Sequence, residues 1–224
     1  MKRLAIFDCD GTLVDSGATI HAALSETFRR HGRALVPREQ ARRVVGLSLH
    51  QAMAALAPDA DDAEHVRLAE TYRQVFSAMR AAGQVEEPLF DGIADLLERM
   101  AADGWLLAVA TGKSDRGLRL CLHCHGLQDR FISLQTADRH PSKPHPGMTL
   151  AAIAEAGSRP ELSVVIGDTG WDMGMARAAG AGAIGVAWGY HDEAELLTAG
   201  AQAIAATPAE VIAIAEGLVK ETVR

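Results

Sequence analysis

The most constraining stretch of this sequence is a short apolar run at residues 4–7, followed directly by Asp8, Cys9, Asp10 and Gly11. The apolar run is short and rich enough to predict a fully buried β-strand. Ionised carboxylates are not buried without compensation, so the acidic residues must lie where the chain leaves the sheet. In an open α/β sheet, the carboxyl end of a strand is where ligands bind. Asp8 and Asp10 share one face of an extended backbone and repel each other, which favours a cation or a proton between them.

The composition is that of an ordinary globular chain with an acidic balance. Its 224 residues are enough for one large domain, or for one domain with an insertion. The formal net charge of -7 argues against a nucleic-acid partner and against an anionic membrane surface. No apolar run approaches the roughly 18 residues of a membrane span, and the run before Asp8 is shorter than the roughly 7–15 residues of a signal-peptide core. We therefore expect a cytoplasmic protein.

The three cysteines, Cys9, Cys121 and Cys124, do not suggest a disulfide framework. Residues 121–125 do match the C-x-x-C-H pattern of covalent haem attachment. That attachment happens outside the cytoplasm, and the segment lies in a predicted helix, so we interpret the match as accidental. A zinc site at Cys121 and Cys124 would need a second cysteine pair to complete it, which the sequence lacks.

From Ser16 to about residue 85 the pattern is helical. Four segments carry apolar residues at helical spacing, and Pro37 and Pro58 separate some of them. The predicted helices cover residues 19–30, 38–45, 47–56 and 62–79. No strand-like segment interrupts this region, so residues 16–85 are predicted to form a separate small helical domain inserted after the first strand.

From Pro88 onward, predicted helices and strands alternate. Thr207 caps a last predicted helix that has Pro208 at its first position. This alternation predicts an α/β fold, a doubly wound parallel sheet with helices on both faces, formed by residues 1–15 and 86–224. The predicted strands are residues 105–110, 131–133, 162–166 and 183–186, and the predicted helices before the last are residues 91–100, 115–125, 148–156 and 171–179.

Polar side chains follow several of these strands, and one lies on a loop bounded by prolines. Because parallel strands present their carboxyl ends at one edge of the sheet, these groups are expected to converge with the two N-terminal aspartates. The polar residues are Thr111, Lys143, Asp168 and Asp172, and Gly112 follows Thr111 in the same turn.

This set of groups suits the chemistry of phosphate. Clustered carboxylates are hard oxygen ligands that favour Mg²⁺, which relieves their repulsion and can clamp a phosphoryl oxygen. Lys143 supplies a positive charge, and Thr111 and the backbone N–H groups of Gly11 and Gly112 can donate hydrogen bonds to phosphoryl oxygens. Phosphoryl transfer needs mainly positioning and charge neutralisation, and an aspartate can accept the phosphoryl group covalently. The sequence therefore predicts a phosphoryl-transfer site.

With these motifs in order, the chain resembles the haloacid dehalogenase (HAD) superfamily over nearly its full length. The D-x-D-G-T motif stands at residues 8–12, Thr111 follows a hydrophobic strand, Lys143 begins K-P-H-P, and G-D-x-x-x-D stands at residues 167–172. Each motif is weak alone, but the four together in this order are specific. The resemblance implies a Rossmann-like core, and the insertion at residues 16–85 resembles the C1 cap of the family.

The resemblance also implies a role for each carboxylate. Asp8 would be the nucleophile that forms an aspartyl-phosphate. Asp10 would protonate the leaving oxygen and then activate water. Mg²⁺ would be held by Asp8, by the backbone carbonyl of Asp10 and by Asp168. Asp172 would support the metal or the lysine, and the cap would close over the substrate and exclude water.

Thr111 and Lys143 would stabilise the phosphoryl group, but each motif residue also has a purely structural interpretation. Thr111 could cap the following helix, and Lys143 could be a solvated loop residue. Asp172 could complement a helix dipole from the first turn. Lys113 is expected to be exposed rather than to contact substrate, and His145 to begin a helix.

Substrate choice is expected to depend on the cap, where residues 45–50 resemble the family segment that dips towards the active site. Leu49 stands where the β-phosphoglucomutase branch typically has an arginine, which counts against a phosphomutase. Residues 14–16, 110–113 and 143–146 are similar to the phosphoglycolate phosphatase branch. We predict a Mg²⁺-dependent phosphatase of a small phosphomonoester, with phosphoglycolate as the leading substrate. A phosphatase of sugar phosphates, nucleotides or pyrophosphate stays open as an alternative.

Two other classes of protein share part of this pattern. A receiver domain of a signalling protein also pairs N-terminal aspartates with a threonine and a lysine, but it is smaller and has no helical insertion after its first strand. A phosphate-binding protein without activity would show a damaged motif, and none is visible. The predicted partner is a small phosphorylated metabolite, and the predicted oligomeric state is a monomer or a homodimer.

Overall fold

The computed structural model describes residues 2–222 and builds them around a six-stranded parallel sheet. The strand order is β3-β2-β1-β4-β5-β6, so β1 lies at the centre between β2 and β4. In this register Phe7 lies opposite both Val109 and Ile166. The strands are β1 (Arg3–Phe7), β2 (Trp105–Thr111), β3 (Ser133–Thr136), β4 (Ser163–Gly167), β5 (Gly182–Val186) and β6 (Ala203–Ala205).

Helices cover both faces of this sheet. Phe7 packs in one core layer with residues of α5, α6 and α10, whereas Leu4 and Ile6 pack in a second layer with residues of α7, α8 and α9. Because both faces of β1 are buried, its sequence is a continuous apolar run rather than an alternating one. The predicted doubly wound α/β fold is confirmed. These helices are α5 (Ile93–Ala102), α6 (Asp115–Cys124), α7 (Gly147–Ala156), α8 (Gly170–Ala178), α9 (Glu193–Thr198) and α10 (Val211–Thr222).

Four helices separate β1 from α5 along the chain. They share a core of their own, in which Leu24 and Phe28 pack with Met53 and Leu68. This separate core agrees with the predicted cap at residues 16–85, although the two domain boundaries themselves stay a prediction. The helices are α1 (Gly17–Arg30), α2 (Arg38–Val44), α3 (Leu49–Leu56) and α4 (Asp62–Ala81).

Several predicted elements differ from the observed ones near the edges of the sheet. The strand predicted at residues 131–133 is observed at Ser133–Thr136, so only Ser133 is common to both. Phe131 is buried in the core and Ile132 is half exposed just before it. The chain also forms α9 and β6, which are too short to carry a readable periodicity. The last predicted helix starts with a 3₁₀ turn, Pro208–Glu210, before α10 begins.

Within residues 2–222, no helix is both long enough and apolar enough to cross a membrane. The cytoplasmic location inferred from the sequence stays a prediction. Residues 1 and 223–224, which the predicted core domain includes, lie outside the described residues.

Candidate active site

The three central strands end at the same edge of the sheet, and each delivers one predicted site residue there. Asp8 directly follows β1, and its backbone N–H donates to the Ile166 carbonyl of β4 at 2.9 Å. Thr111 is the last residue of β2, and Asp168 follows Gly167, the last residue of β4. Because β1 has neighbours on both sides that come later in the chain, this edge is a switch point of the topology, where α/β sheets bind ligands.

Lys143 joins two of the predicted carboxylates in a fully buried cluster. Its Nζ lies 2.9 Å from Asp8 Oδ1 and 2.6 Å from Asp172 Oδ1, and the three side chains are completely inaccessible to solvent. One carboxylate oxygen of each of Asp8, Asp168 and Asp172 lies within 4.8 Å of the other two. Lys143 is therefore not a solvated loop residue, and four residues from distant parts of the chain meet at one point.

The charges in this cluster do not balance. Burial by itself lowers the pKa of Lys143, but the carboxylates of Asp172 and Asp8 outweigh it and raise that pKa above its usual value. Burial raises the pKa of Asp8 from 3.8 to about 7, although Lys143 opposes the shift. Burial, followed by the charges of Asp172 and Asp8, also raises the pKa of Asp168 well above its usual value. When all three carboxyl groups are ionised, they exceed the one ammonium by two negative charges, and burial, followed by this repulsion, raises the pKa values of Asp8 and Asp168.

A divalent cation fits this donor set. Asp8 Oδ2 is buried and has no hydrogen-bond partner within residues 2–222, so one carboxylate oxygen remains available as a ligand. The donors are hard oxygen atoms, which suit Mg²⁺, and a charge of +2 would neutralise the excess. The residues present therefore match the cofactor that the sequence predicts.

Asp168 is held in place by bonds to both of its oxygens. Thr12 Oγ1 donates to Oδ1 at 2.8 Å, and the backbone N–H of Tyr190 donates to Oδ2 at 3.0 Å. Gly11 packs directly against this carboxylate with a φ of 86°, and any side chain there would collide with Asp168. The chain therefore turns at Gly11 in a conformation that favours glycine, and the missing side chain makes room for an acidic neighbour.

Asp172 uses its two oxygens for two structural tasks. Oδ1 pairs with Lys143, while Oδ2 accepts from the backbone N–H and Oγ1 of Thr169 at 3.1 and 2.6 Å. Thr169 and Asp172 thus form a capping box at the start of α8. Asp172 caps the helix and orients the lysine at the same time, so the two interpretations of this residue apply together.

The carboxylate of Asp10 faces a different set of partners. Its Oδ1 accepts from Ser16 Oγ at 2.5 Å and from Lys113 Nζ at 2.7 Å. Asp10 does not belong to the carboxylate group formed by Asp8, Asp168 and Asp172. This agrees with a separate acid–base role, and the ligation of Mg²⁺ by its backbone carbonyl stays a prediction.

The expectation that Lys113 is exposed is wrong. Only 9% of its side chain is accessible, and its Nζ also lies 2.9 Å from Glu87 Oε1, on the connection from the insertion back to the core. Phe76 of α4 covers this ammonium at 6.0 Å from the ring centroid. Burial lowers the pKa of Lys113, but Asp10 and the other charges around it outweigh this and raise that pKa well above its usual value. Lys113 is therefore a charged group within the site.

Thr111 is buried at the end of β2, and its Oγ1 accepts from the backbone N–H of Lys113 at 3.2 Å. It does not cap the next helix, because Ser114 is the N-cap of α6 and accepts from Gly117 at 3.1 Å. The hydroxyl of Thr111 is thus available at the sheet edge, as its predicted phosphate-binding role requires. Gly112 follows it in the turn.

Residues 45–48, here called the cap loop, lie directly over this turn. A Cβ atom on Gly112 would come within 2.5 and 2.6 Å of the backbone oxygens of Leu47 and Gly46. The backbone N–H of Ser48 also donates to Ser142 Oγ at 2.7 Å, next to Lys143 in the chain. The segment that resembles the family's dipping cap loop therefore covers the candidate site.

Four residues of the site were not predicted from the sequence. Thr12 stands inside the first motif and Thr169 inside the fourth, so their spacing could have assigned them as supporting donors. Ser16 belongs to the stretch at residues 14–16 that resembles the phosphoglycolate phosphatase branch, whereas Tyr190 is recognisable only by its contacts. Tyr190 bonds Asp168 through its backbone, and its hydroxyl accepts from the Ser16 N–H at 3.2 Å.

Known proteins with similar sequences and folds identify the family of this chain. A family model described as haloacid dehalogenase-like hydrolase matches residues 5–186. The chain is 35% identical over 223 residues to "Probable phosphatase IndB" from Dickeya dadantii (strain 3937), covering 98% of this chain and 96% of that protein. It is 32% identical over 190 residues to a phosphoglycolate phosphatase from Xylella fastidiosa (strain 9a5c), covering 84% and 82%. The crystal structure of a hydrolase from Pseudomonas syringae superposes with a TM-score of 0.84 at 26% identity, covering 96% and 99%.

The parallel sheet, the buried cluster of carboxylates and lysine, and the helical insertion define an α/β enzyme of the hydrolase class. The chain belongs to the haloacid dehalogenase-like hydrolase family. The family and the enzyme class predicted from the four motifs are confirmed, and phosphatases are among its relatives.

Proposed function

We propose that this chain is a Mg²⁺-dependent phosphatase that hydrolyses a small phosphomonoester through an aspartyl-phosphate, with phosphoglycolate as its best candidate substrate. The observation that carries the proposal is the buried group of Asp8, Asp168, Asp172 and Lys143, which has a free oxygen on Asp8. The named phosphatases among its relatives support the same class.

In the first step, a carboxylate oxygen of Asp8 attacks phosphorus, and the ester P–O bond breaks. Lys143 and the Cys9 N–H, at 2.9 and 2.6 Å, hold Asp8 Oδ1 and fix the orientation of the carboxylate. Thr111 and Lys143 stabilise the charge on the transferring group, with the backbone N–H groups of Gly11 and Gly112 as further donors. When bound to Asp8, Asp168 and the Asp10 carbonyl, Mg²⁺ supplies charge neutralisation.

Asp10 supplies the proton for the leaving oxygen, which departs as an alcohol. In the second step Asp10 takes a proton from water as the water attacks phosphorus, which releases inorganic phosphate and restores Asp8. Ser16 orients the Asp10 carboxyl group at 2.5 Å. Lys113 occupies the same oxygen, so its ammonium must give way before Asp10 can carry the proton of the first step.

The surroundings of Asp10 favour a small leaving group that carries a negative charge. The cap loop packs on Gly112 and leaves little room above the turn. Lys113 is a buried cation next to the predicted acid, and a carboxylate on the leaving group would draw this ammonium away from Asp10. Phosphoglycolate has both properties, because its leaving group is a two-carbon hydroxy acid.

The phosphatase class is tested with purified protein and p-nitrophenyl phosphate in the presence of Mg²⁺. We expect turnover that EDTA abolishes and that Asp8→Asn lacks. Acid quenching during turnover should trap phosphate on the wild-type protein and none on the variant. Absence of turnover, or turnover unchanged in Asp8→Asn, would overturn the proposal.

The substrate is tested by ranking kcat/KM over a panel of phosphate esters. The panel holds phosphoglycolate, a neutral ester of similar size, a hexose phosphate, a nucleoside monophosphate and pyrophosphate. We expect phosphoglycolate to rank first and Lys113→Met to reduce its advantage over the neutral ester. A higher kcat/KM for sugar phosphate, nucleotide or pyrophosphate would move the substrate to that alternative while leaving the phosphatase class intact. Isomerisation of a hexose 1-phosphate would instead indicate a phosphomutase.

A further inference from the structure

A second group of potential metal ligands lies on the helical insertion, separate from the residues of the candidate active site. It consists of His50 on α3, and of Asp62 and His65 in the first two turns of α4. One ligand atom of each residue lies within 4.8 Å of the other two. His50 Nε2 is 2.9 Å from Asp62 Oδ1, and the two imidazole rings meet edge to face with centroids 6.0 Å apart. Two imidazoles and one carboxylate form a donor set that Zn²⁺ commonly binds.

The protonation of His65 suits ligation. Its Nε2 lies 2.9 Å from the backbone carbonyl oxygen of Ala57, which can only accept a hydrogen bond. Nε2 must therefore carry the proton, and the lone pair of the neutral ring is on Nδ1. Metal-binding histidines typically donate their second ring N–H to a backbone carbonyl in this way. His65 is buried, so this orientation is held by the packing between α3 and α4.

The local charge also favours a cation. The positive end of the α4 dipole disfavours a bound cation, but carboxylates surround the first turn of this helix. Asp61 caps the helix by accepting from the Glu64 N–H at 2.8 Å, and Asp62 follows it. Asp59 and Glu64 both pair with Arg33. Arg33 pairs with only two of these four carboxylates, and Arg67 also lies near Glu64, so the acidic groups here still outnumber the two arginines.

We infer that His50, Asp62 and His65 form a binding site for Zn²⁺, with water in the fourth position. In a tetrahedral zinc site the ligand atoms are roughly 3.3 Å apart. The His50 and Asp62 ligand atoms, now 2.9 Å apart, would therefore separate slightly, and any pair nearer the 4.8 Å limit would close. His65 is fixed, whereas the side chains of His50 and Asp62 are 46% and 83% exposed and can rotate. The bound ion would join α3 to α4 and stabilise the insertion.

The test uses Asp168→Asn as the background, because this substitution weakens the other carboxylate cluster without touching the insertion. Full-length protein is stripped with a chelator and titrated with ZnCl₂ by calorimetry, and its melting temperature is measured with and without Zn²⁺. We expect one equivalent of Zn²⁺ to bind and to raise the melting temperature. In the same background, His50→Ala or Asp62→Asn should weaken binding by more than about 100-fold, since loss of an outer partner alone costs 10–100-fold.

Both variants change exposed side chains, so a general failure to fold is avoided. His123→Ala, which removes an exposed histidine from α6, is the matched control and should leave Zn²⁺ affinity unchanged. The site would be overturned if the background binds no Zn²⁺ up to millimolar concentration, or if His50→Ala and His123→Ala have the same affinity. Binding without a rise in melting temperature would overturn the stabilising role.

Discussion

Replacing Asp8 with asparagine is expected to abolish hydrolysis and, without divalent cations, to stabilise the fold at pH 8. Three buried carboxylates share one ammonium in the candidate site. Asp172 keeps Lys143 paired at 2.6 Å when the charge of Asp8 is removed. An asparagine has nearly the same shape and can still accept from Lys143 and from the Cys9 N–H. The substitution therefore removes a charge and leaves the packing in place.

The size of the effect follows from the pKa of Asp8, which burial raises from 3.8 to about 7. A carboxyl group whose pKa is higher in the folded than in the unfolded state contributes stability at low pH. That contribution is lost as the pH rises from about 4 to about 7. At 1.36 kcal/mol per pKa unit, the loss amounts to about 4 kcal/mol. We expect the free energy of unfolding of Asp8→Asn to exceed that of the wild type by about 2–4 kcal/mol at pH 8 and by much less at pH 5.

The assay is urea unfolding in EDTA at both pH values, with the free energy of unfolding extrapolated to water. Asp10→Asn is the matched control, because it removes a carboxylate that Lys113 pairs at 2.7 Å. This variant should be no more stable than the wild type. The reasoning is refuted if Asp8→Asn is less stable than the wild type at pH 8, or if the difference is the same at pH 5.

Three further predictions concern the metal, the buried lysine and the cap. Mg²⁺ should raise the melting temperature of the wild type at pH 8, and it should raise the melting temperature of Asp168→Asn by much less. Equal shifts in the two proteins would contradict Asp168 as a Mg²⁺ ligand. Lys113→Met should lower the free energy of unfolding by about 3–5 kcal/mol in urea, because it leaves the buried carboxylate of Asp10 without its cation, while Glu87 keeps Arg80 at 2.8 Å. A loss below about 1 kcal/mol would argue that the pair is solvated. Gly112→Ala should lower kcat/KM by more than about tenfold, because its Cβ would meet cap-loop backbone oxygens 2.5 and 2.6 Å away and must displace the cap loop. Gly217→Ala, with no atom within 4 Å of its Cβ, is the control and should keep full activity.

The sequence predicted the parts of the site that depend on chain order. Asp8, Thr111 and Asp168 each follow a strand that an apolar run identifies, and parallel strands must deliver such residues to one edge. Lys143 could be assigned from its motif, although its distance from Asp8 could not. These predictions succeed because the fold class alone constrains where the ends of the strands lie.

The sequence could not predict contacts between distant segments that share no motif. Lys113 and Asp10 are 103 residues apart and form an ion pair only because β1 and β2 are neighbours in the sheet. Glu87 joins them from the connection that follows the insertion, a segment with no motif of its own. A lysine after a turn is usually solvated, so its burial depended on tertiary structure that the local sequence does not encode.

Lys113 also links the proposed chemistry to the position of the cap. Its ammonium contacts Asp10 of the core and Glu87 of the connection, and Phe76 of α4 covers it. If the cap opens, α4 moves away, water reaches this ammonium, and its hold on Asp10 weakens. Gly112→Ala should cause such opening, so it should already weaken the contact between Lys113 and Asp10 that Lys113→Met removes. In a double-mutant cycle, the loss of transition-state stabilisation measured from kcat/KM for the double variant should therefore be smaller than the sum of the two single losses by at least about 0.5 kcal/mol. Strict additivity would mean that cap closure and the predicted acid are independent.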